Sequence, residues 1–151
     1  MTKEELKQAV TEIVPSTTYD ETGEFLNAIV TPADFLSLMK TLREKPEFNF
    51  DYLFCLTCVD WKTHFMMVYH LLSRDNKHQL VVKVKLDDRT NPEIETVCHI
   101  WRTAEFHERE VFDLFGIKFL NHPDLRRIFM PDNWDGFPLR KDYVDENMIE
   151  I

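Results

Sequence analysis

Apolar side chains recur at helical spacing near the start of the chain. Thr2 and Glu5 have the spacing of a capping box, in which each side chain satisfies a free backbone amide of the other. This pattern predicts an amphipathic helix over residues 3–13. Its buried face would carry Leu6, Ala9, Val10 and Ile13. The run over residues 24–30 then predicts a strand.

A second helix and a group of strands follow. Thr31 and Pro32 suit the N-cap and the first position of a helix, which Lys45–Pro46 would close. The buried stripe of this helix would be Phe35, Leu38, Met39 and Leu42. Further on, three runs rich in aromatic and β-branched residues predict an antiparallel meander, because only short polar breaks separate them. They cover residues 50–61, 64–72 and 79–86.

Two more helices are predicted before residue 117. Thr90 and Glu93 again have capping-box spacing. The apolar stripe that follows them is Ile94, Val97, Cys98 and Trp101. Residues 105–115 form a further helical pattern that ends at Gly116, a favourable left-handed cap. This order predicts an α+β domain over residues 1–116, with two layers, a mainly antiparallel or mixed sheet, and helices packed on one face.

The regular pattern ends after this domain. Residues 117–151 combine aromatic side chains and arginines with several chain-breaking positions. The breaks are Pro123, Pro131, Pro138 and the Asp135–Gly136 turn. Because aromatic residues and arginine are enriched at protein interfaces, we interpret this segment as an extended C-terminal arm that docks on a partner. Composition alone leaves open the alternative that the arm wraps its own domain.

Composition and charge exclude several classes of function. The 151 residues carry 18 Lys plus Arg against 27 Asp plus Glu, and this net charge of −9 disfavours nucleic acid and anionic lipid as direct partners. With three glycines the chain has neither a Walker A loop nor a dinucleotide fingerprint. It has no apolar run near the ~20 residues of a bilayer span. Its acidic N-terminus is not expected to be a secretory signal.

The cysteines are the first candidate for chemistry. Cys55 and Cys58 form a CxxC motif, but they lie in a predicted strand, where residues three apart point to opposite faces. A four-ligand zinc site would also need Cys98 and His99, and adjacent residues on a helix diverge. We therefore interpret the three cysteines as buried structural thiols, as expected in a reducing compartment.

The densest charged cluster spans residues 107–113. His107 and Glu110 have the spacing of metal ligands on one helical face, and Glu108 with Glu110 could form an acid–base pair. A second ligand pair is missing, however, and residues two apart on a helix diverge. We expect instead a charged helix face with an Arg109–Asp113 pair at i, i+4 spacing. The bare residues thus favour an interaction protein over an enzyme.

Three stretches of the C-terminal half carry dense motifs. They are residues 108–117 (EREVFDLFGI), 121–128 (NHPDLRRI) and 134–143 (WDGFPLRKDY). Together they resemble the C subunit of the proton-pumping NADH:quinone oxidoreductase, respiratory complex I, and residues 58–61 (CVDW) support the resemblance upstream. Two departures are visible: Phe137 stands where many members carry His, and Phe129 replaces a more usual Leu.

The resemblance implies a non-catalytic scaffold subunit of the hydrophilic arm of that complex. Its C-terminal segment would wrap the D subunit, which builds the quinone site together with the B subunit. NADH, FMN, the iron–sulfur clusters and quinone would be bound by partner subunits, and this chain would bind none of them. The chain would lie at the cytoplasmic face of the inner (plasma) membrane and contact the membrane only through the complex.

On this view, a set of side chains fixes the arm or its register on the D subunit. The set is Glu108, Arg109, Glu110, Asp113, His122, Pro123, Leu125, Arg126, Arg127, Trp134, Arg140, Lys141 and Asp142. Two alternatives stay open. One is the equivalent subunit of a membrane-bound hydrogenase or an F420-type dehydrogenase. The other is a stand-alone metal-dependent enzyme centred on residues 107–113.

Overall fold

The computed structural model describes residues 1–148. Helix α1 spans Lys3–Ile13, and the predicted capping box at its start is confirmed. The Glu5 amide donates to the Thr2 hydroxyl at 3.2 Å, and the Thr2 amide donates to the Glu5 carboxylate at 2.8 Å. Both bonds satisfy amides that the first helical turn leaves free.

A five-stranded sheet forms the centre of the domain. Its strands are β1 Thr18–Asp20, β2 Asn27–Val30, β3 Tyr52–Asp60, β4 Phe65–Ser73 and β5 His78–Leu86. The strand order is β1-β2-β5-β4-β3, with one parallel pair between β2 and β5 and antiparallel pairs elsewhere. The predicted meander over β3, β4 and β5 is confirmed. The strand predicted over residues 24–30 begins three residues later, and the short β1 was not predicted.

Two helices follow their predicted limits closely. Helix α2 spans Pro32–Glu44 and ends at the predicted Lys45. The Thr31 hydroxyl donates to the Asp34 carboxylate and does not cap a backbone amide. Helix α3 spans Ala104–Phe115 and is closed by Gly116 in the left-handed conformation.

The helix predicted from the stripe between Ile94 and Trp101 is wrong. Strand β6 occupies Glu93–Glu95 and pairs in parallel with β7, Lys118–Leu120. A tight turn follows at residues 98–100, in which the Trp101 amide donates to the Val97 carbonyl at 2.9 Å. The strand forms because β7, 25 residues further along the chain (118 − 93), supplies hydrogen-bond partners for its backbone groups. A local sequence pattern cannot reveal such a distant partner.

The three helices pack on one face of the five-stranded sheet and enclose a single core. Its largest buried side chains include Phe35 of α2, and Phe65 and Tyr69 of β4. After β7, residues 121–148 contain no helix or strand. Among residues 1–148, no helix is both long and apolar enough to cross a bilayer. The last three positions of the predicted arm, 149–151, lie outside the described residues.

Candidate functional site

The carboxylate of Asp113 organises the start of the arm. It accepts hydrogen bonds from the amides of Ile128, Phe129 and Met130 at 3.2, 2.7 and 3.1 Å. It also accepts one from the Arg127 guanidinium at 3.1 Å, and its side chain is fully buried. These donors outweigh the cost of desolvation and hold the pKa of Asp113 below its usual value. Helix α3 therefore fixes the path of residues 127–130.

Two arginines bridge helix α3 and the arm through backbone carbonyls. Arg127 donates to the carbonyls of Trp134 and Gly136 at 3.1 and 2.9 Å, which closes the loop between them. From the helix side, Arg109 donates to the carbonyls of Arg126 and Arg127, both at 3.1 Å. Their guanidinium groups are therefore used within the chain itself.

The predicted Arg109–Asp113 pair is wrong, and most of the predicted charged helix face is buried. Glu108 and Asp113 are fully buried and Arg109 is only 7% exposed. The i, i+4 spacing permits the pair, but the arm lies over this part of α3 and gives both residues other partners. Glu110, by contrast, is exposed.

Glu108 joins α3 to the turn after β6. Both carboxyl oxygens lie within hydrogen-bond distance of the Thr96 hydroxyl, at 2.7 and 2.8 Å, and the Val97 amide donates to one of them at 3.2 Å. The Thr96 oxygen also accepts the Cys98 amide at 3.1 Å. A hydroxyl has one proton: a protonated Glu108 would donate to the Thr96 oxygen while Thr96 donates to its other oxygen, whereas the two oxygens of an ionised Glu108 would share the Thr96 proton. Burial raises the pKa of Glu108 to about 7, against the lowering effect of these bonds.

Asp60, at the end of β3, ties the arm to the sheet. Its carboxylate accepts a two-pronged bond from Arg89, with Nη2 at 3.1 Å. The amides of Lys62 and Lys141 donate to it at 2.8 and 2.9 Å. The bonds from Arg89 hold the pKa of Asp60 far below its usual range. Asp142 of the arm lies 3.5 Å from the same guanidinium.

Arginine and phenylalanine side chains alternate between the arm and the sheet. Arg127 and Arg140 both contact the Phe137 ring, and each guanidinium carbon is 5.0 Å from its centroid. Arg140 is also 5.1 Å from the Phe65 centroid, and Arg89 is 4.5 Å from the same ring. We call these five residues the arginine–phenylalanine stack. Each cation–π contact contributes about 0.5–2 kcal/mol, more where water is excluded.

The other residues singled out from the sequence lie along the same path. A ring nitrogen of His122 lies 3.0 Å from the Glu105 carbonyl, and Leu125 packs against the core. Arg126 pairs with Asp124 at the surface. Pro123 and Lys141 are exposed, and Trp134 is half-buried with no hydrogen-bond partner for its indole N–H among residues 1–148.

The cysteines do not converge. All three are free thiols; Cys58 and Cys98 are buried as predicted, whereas Cys55 is half-buried. Burial raises the pKa of each, to about 12 for Cys58. Within residues 1–148, no three His, Cys, Asp or Glu side chains come close enough to hold a metal ion. The zinc and di-metal alternatives therefore have no assembled ligand set in the described part of the chain.

Three polar residues of this region were not predicted to be part of a site: Asp60, Arg89 and Thr96. The sequence offered a signal only for Asp60, through the CVDW stretch. Arg89 lies in a polar loop, and Thr96 lies where a helix was expected. Their roles depend on contacts 29 and 12 positions away along the chain.

Known proteins share both the sequence and this fold. The family model of the respiratory-chain NADH dehydrogenase 30 kDa subunit matches residues 28–147. The NADH-quinone oxidoreductase C subunit of Moorella thermoacetica is 50% identical over 124 residues, which is 80% of this chain and 82% of that protein. The C subunit of Roseiflexus castenholzii is 42% identical over 78% of this chain and 68% of that protein.

Two further relatives are larger or belong to a larger complex. The fused C/D subunit of Phocaeicola vulgatus is 46% identical to this chain. The alignment covers 66% of this chain and 19% of that protein. A chain of the membrane-bound sulfane sulfur reductase, an archaeal respiratory membrane complex, superposes with a TM-score of 0.75 at 29% identity, covering 93% of this chain and 85% of that one. The chain therefore belongs to the family of the 30 kDa subunit of respiratory-chain NADH dehydrogenase.

Proposed function

We propose that this chain is a scaffold subunit of the hydrophilic arm of an NADH:quinone oxidoreductase. It supports electron transfer from NADH through FMN and iron–sulfur clusters to quinone, coupled to proton translocation, without catalytic residues of its own. The observation that carries the proposal is 50% identity with an NADH-quinone oxidoreductase C subunit over 80% of the chain.

We place NADH, FMN, the clusters and quinone in partner subunits. The polar groups that could bind a substrate here are engaged in holding the fold. Arg109 and Arg127 donate to backbone carbonyls of the arm, and Arg140 donates to the Phe115 carbonyl. Such arrangements support positioning of the chain rather than chemistry on a ligand.

The proposed main partner is the D subunit, with the B subunit nearby. The natural C/D fusion in Phocaeicola vulgatus supports proximity of these two modules, because fusion favours domains that work side by side. The arm also exposes large apolar side chains: Ile128 is 39%, Phe129 64% and Leu139 53% exposed. Exposed apolar side chains on an ordered segment are typical of a surface that a partner covers. Binding through these partners would hold the chain at the cytoplasmic face of the membrane.

The test is assembly of the complex when the exposed side of the arm is made polar. Phe129→Asp with Leu139→Asp should leave the fold of the chain intact, since both side chains face away from the core. We expect at least a fivefold loss of the co-purifying D subunit. Gln8→Asp in α1, also an exposed position, is the matched control. Full assembly of the double variant would overturn the docking role of the arm.

A second candidate is the equivalent subunit of another membrane-bound redox complex. The fold shared with a chain of the archaeal sulfane sulfur reductase favours it. The lower identity, 29% against 42–50% for the NADH-quinone oxidoreductase relatives, ranks it second. The co-purifying subunits separate the two: an NADH-oxidising module supports the first, and its absence from an intact complex supports the second.

A further inference from the structure

The face of the sheet turned away from the helices is unusually apolar along β4. Residues 65, 67, 69 and 71 point into the core, so the residues between them point to the opposite face. These are the half-buried Met66, His70 and Leu72, and Val68, which is 8% exposed. The outer face of an antiparallel sheet normally carries polar side chains. Strand β4 has no Asp, Glu, Lys or Arg on either face, as is usual for a strand covered on both sides.

The neighbouring edge strand β3 widens this surface. Thr57 and Val59 pair with Val68 and Met66, and Val59 is 37% exposed. The rings of Phe54 and His70 lie 5.5 Å apart between centroids. We call this surface the apolar strip, defined by residues Phe54, Thr57, Val59, Met66, Val68, His70 and Leu72.

The size of the apolar strip selects the kind of element that fits it. Six residue steps along β4 span about 20 Å, and two adjacent strands span about 10 Å. A helix with side chains is about 10 Å wide, and about 13 residues reach 20 Å. A second sheet needs a broader apolar face, which β5 does not provide because it presents Gln79, Lys83 and Lys85 on this side, with Val81 between them only 3% exposed.

The charge beside the apolar strip selects the chemistry of that helix. Lys83 and Lys85 pair across the ladder with Val68 and Met66, so both ammonium groups border the strip on its β5 side. Lys85 forms a salt bridge with the exposed Asp87 at 3.3 Å, and such surface pairs are worth little. A second copy of this chain would bring further lysines to this border, in a protein whose own net charge is negative.

We infer that the apolar strip binds an amphipathic helix of another subunit, about 13 residues long, whose apolar stripe is flanked by Asp or Glu on the side facing β5. This surface differs from the arm, which packs on α3 on the helical side of the sheet. The inference rests on the proposed function only in that the helix belongs to the same assembly.

The test uses a photo-crosslinking amino acid, p-benzoylphenylalanine, in the assembled complex. It replaces Thr57, an exposed residue in the middle of the apolar strip, or Thr18 as a control on the outermost strand β1 of the same sheet. We expect the Thr57 probe to link to one peptide of another subunit that has apolar residues at helical spacing and carboxylates on one flank. Lys83→Glu should lower the yield of this link at least threefold, and the Thr18 probe should give less than a third of it.

Several outcomes would overturn the inference. These are a link to this chain or a second copy, a link to a segment without the amphipathic acidic pattern, or a yield no higher than that of the Thr18 probe. If the complex is intact in these cases, the proposed function survives and this inference fails. If no other subunit co-purifies with the chain, both fail.

Discussion

Arg127 donates to the carboxylate of Asp113 at 3.1 Å, although fourteen positions separate the two residues along the chain. The same carboxylate accepts three consecutive amides of residues 128–130. Because bonds to an ionised group are about twice as strong as neutral ones, this one side chain sets the path of the arm over α3. The arm is thus shaped by its own domain, and its exposed apolar side chains are held in a defined arrangement.

Removing the charge of Asp113 should loosen the arm. Asp113→Asn places a side-chain N–H₂ group among amide donors, so we expect a loss of about 2–3 kcal/mol in the free energy of unfolding. Urea denaturation measures that loss, and hydrogen exchange should quicken at residues 128–130. Asp124→Asn, which removes an exposed pair with Arg126, is the control and should change stability by less than about 1 kcal/mol. Unchanged exchange in Asp113→Asn would contradict this account.

The protonation of Glu108 should make stability depend on pH. Its pKa is about 7 in the folded chain against 4.5 for the free side chain, so the native state binds more protons between these values. Stability should therefore fall as pH rises from 4.5 to 7, by at most about 3 kcal/mol. Glu108→Gln keeps a donor for Thr96 and an acceptor for Val97, and it should be more stable than the wild type at pH 8.

The measurement is the difference in unfolding free energy between wild type and Glu108→Gln, taken from pH 4.5 to pH 8. Taking this difference cancels the titration of groups that do not interact with Glu108. Tyr69 and Cys98 do interact with it, but their pKa values are raised above their usual values by burial and so lie above this pH range. Glu110→Gln, on the exposed side of the same helix, should show no such trend. Parallel pH profiles for wild type and Glu108→Gln would show that Glu108 is ionised throughout.

The arginine–phenylalanine stack explains why a neutral ring suits position 137. Phe137→His would place an imidazole beside two guanidinium groups, each 5.0 Å from the centroid of the present ring. These charges disfavour protonation in the folded state, so stability should fall as pH drops below about 6.5, the pKa of a free histidine. Thermal unfolding at pH 8 and pH 5.5 measures this effect. Phe137→Leu, which cannot titrate, should lose the same stability at both pH values.

Gly116 has two reasons to be glycine. Its φ is +75°, and an added Cβ would lie 2.6 Å from Phe137 and 2.8 Å from Arg140. Gly116→Ala should therefore cost more than the roughly 1–2 kcal/mol typical of the left-handed conformation, measured by urea denaturation. Gly23→Ala meets no atom within 4 Å and should leave stability within about 0.5 kcal/mol. Equal effects of the two substitutions would contradict the close packing of the stack on this turn.

The elements that the sequence predicted well are those with long local patterns. Helices α1 and α2 and strands β3 to β5 follow from periodicity, and the ends at Thr2, Lys45 and Gly116 follow from capping chemistry. Strand β6 was predicted as a helix because its three residues carry no pattern of their own. It forms where β7 supplies a partner.

For the candidate site as well, features with a local pattern were predicted and long-range contacts were not. The sequence identified the charged residues of α3 and of the arm as a group, but not which of them pair. Asp113 pairs with Arg127 and not with Arg109, which is nearer along the chain. The burial of Glu108 could not be predicted either, since a glutamate on a charged helix is ordinarily solvated. Whether the arm fixes a register on the D subunit stays a prediction.

The most direct test of the scaffold role is native mass spectrometry of the complex purified through a tag on this chain, with NADH:quinone activity measured beside it. We expect one copy of the chain together with subunits that carry FMN and iron–sulfur clusters, activity in that assembly, and none in the purified chain alone. Recovery of the chain without partners from native membranes, or turnover of NADH by the chain alone, would contradict the scaffold role.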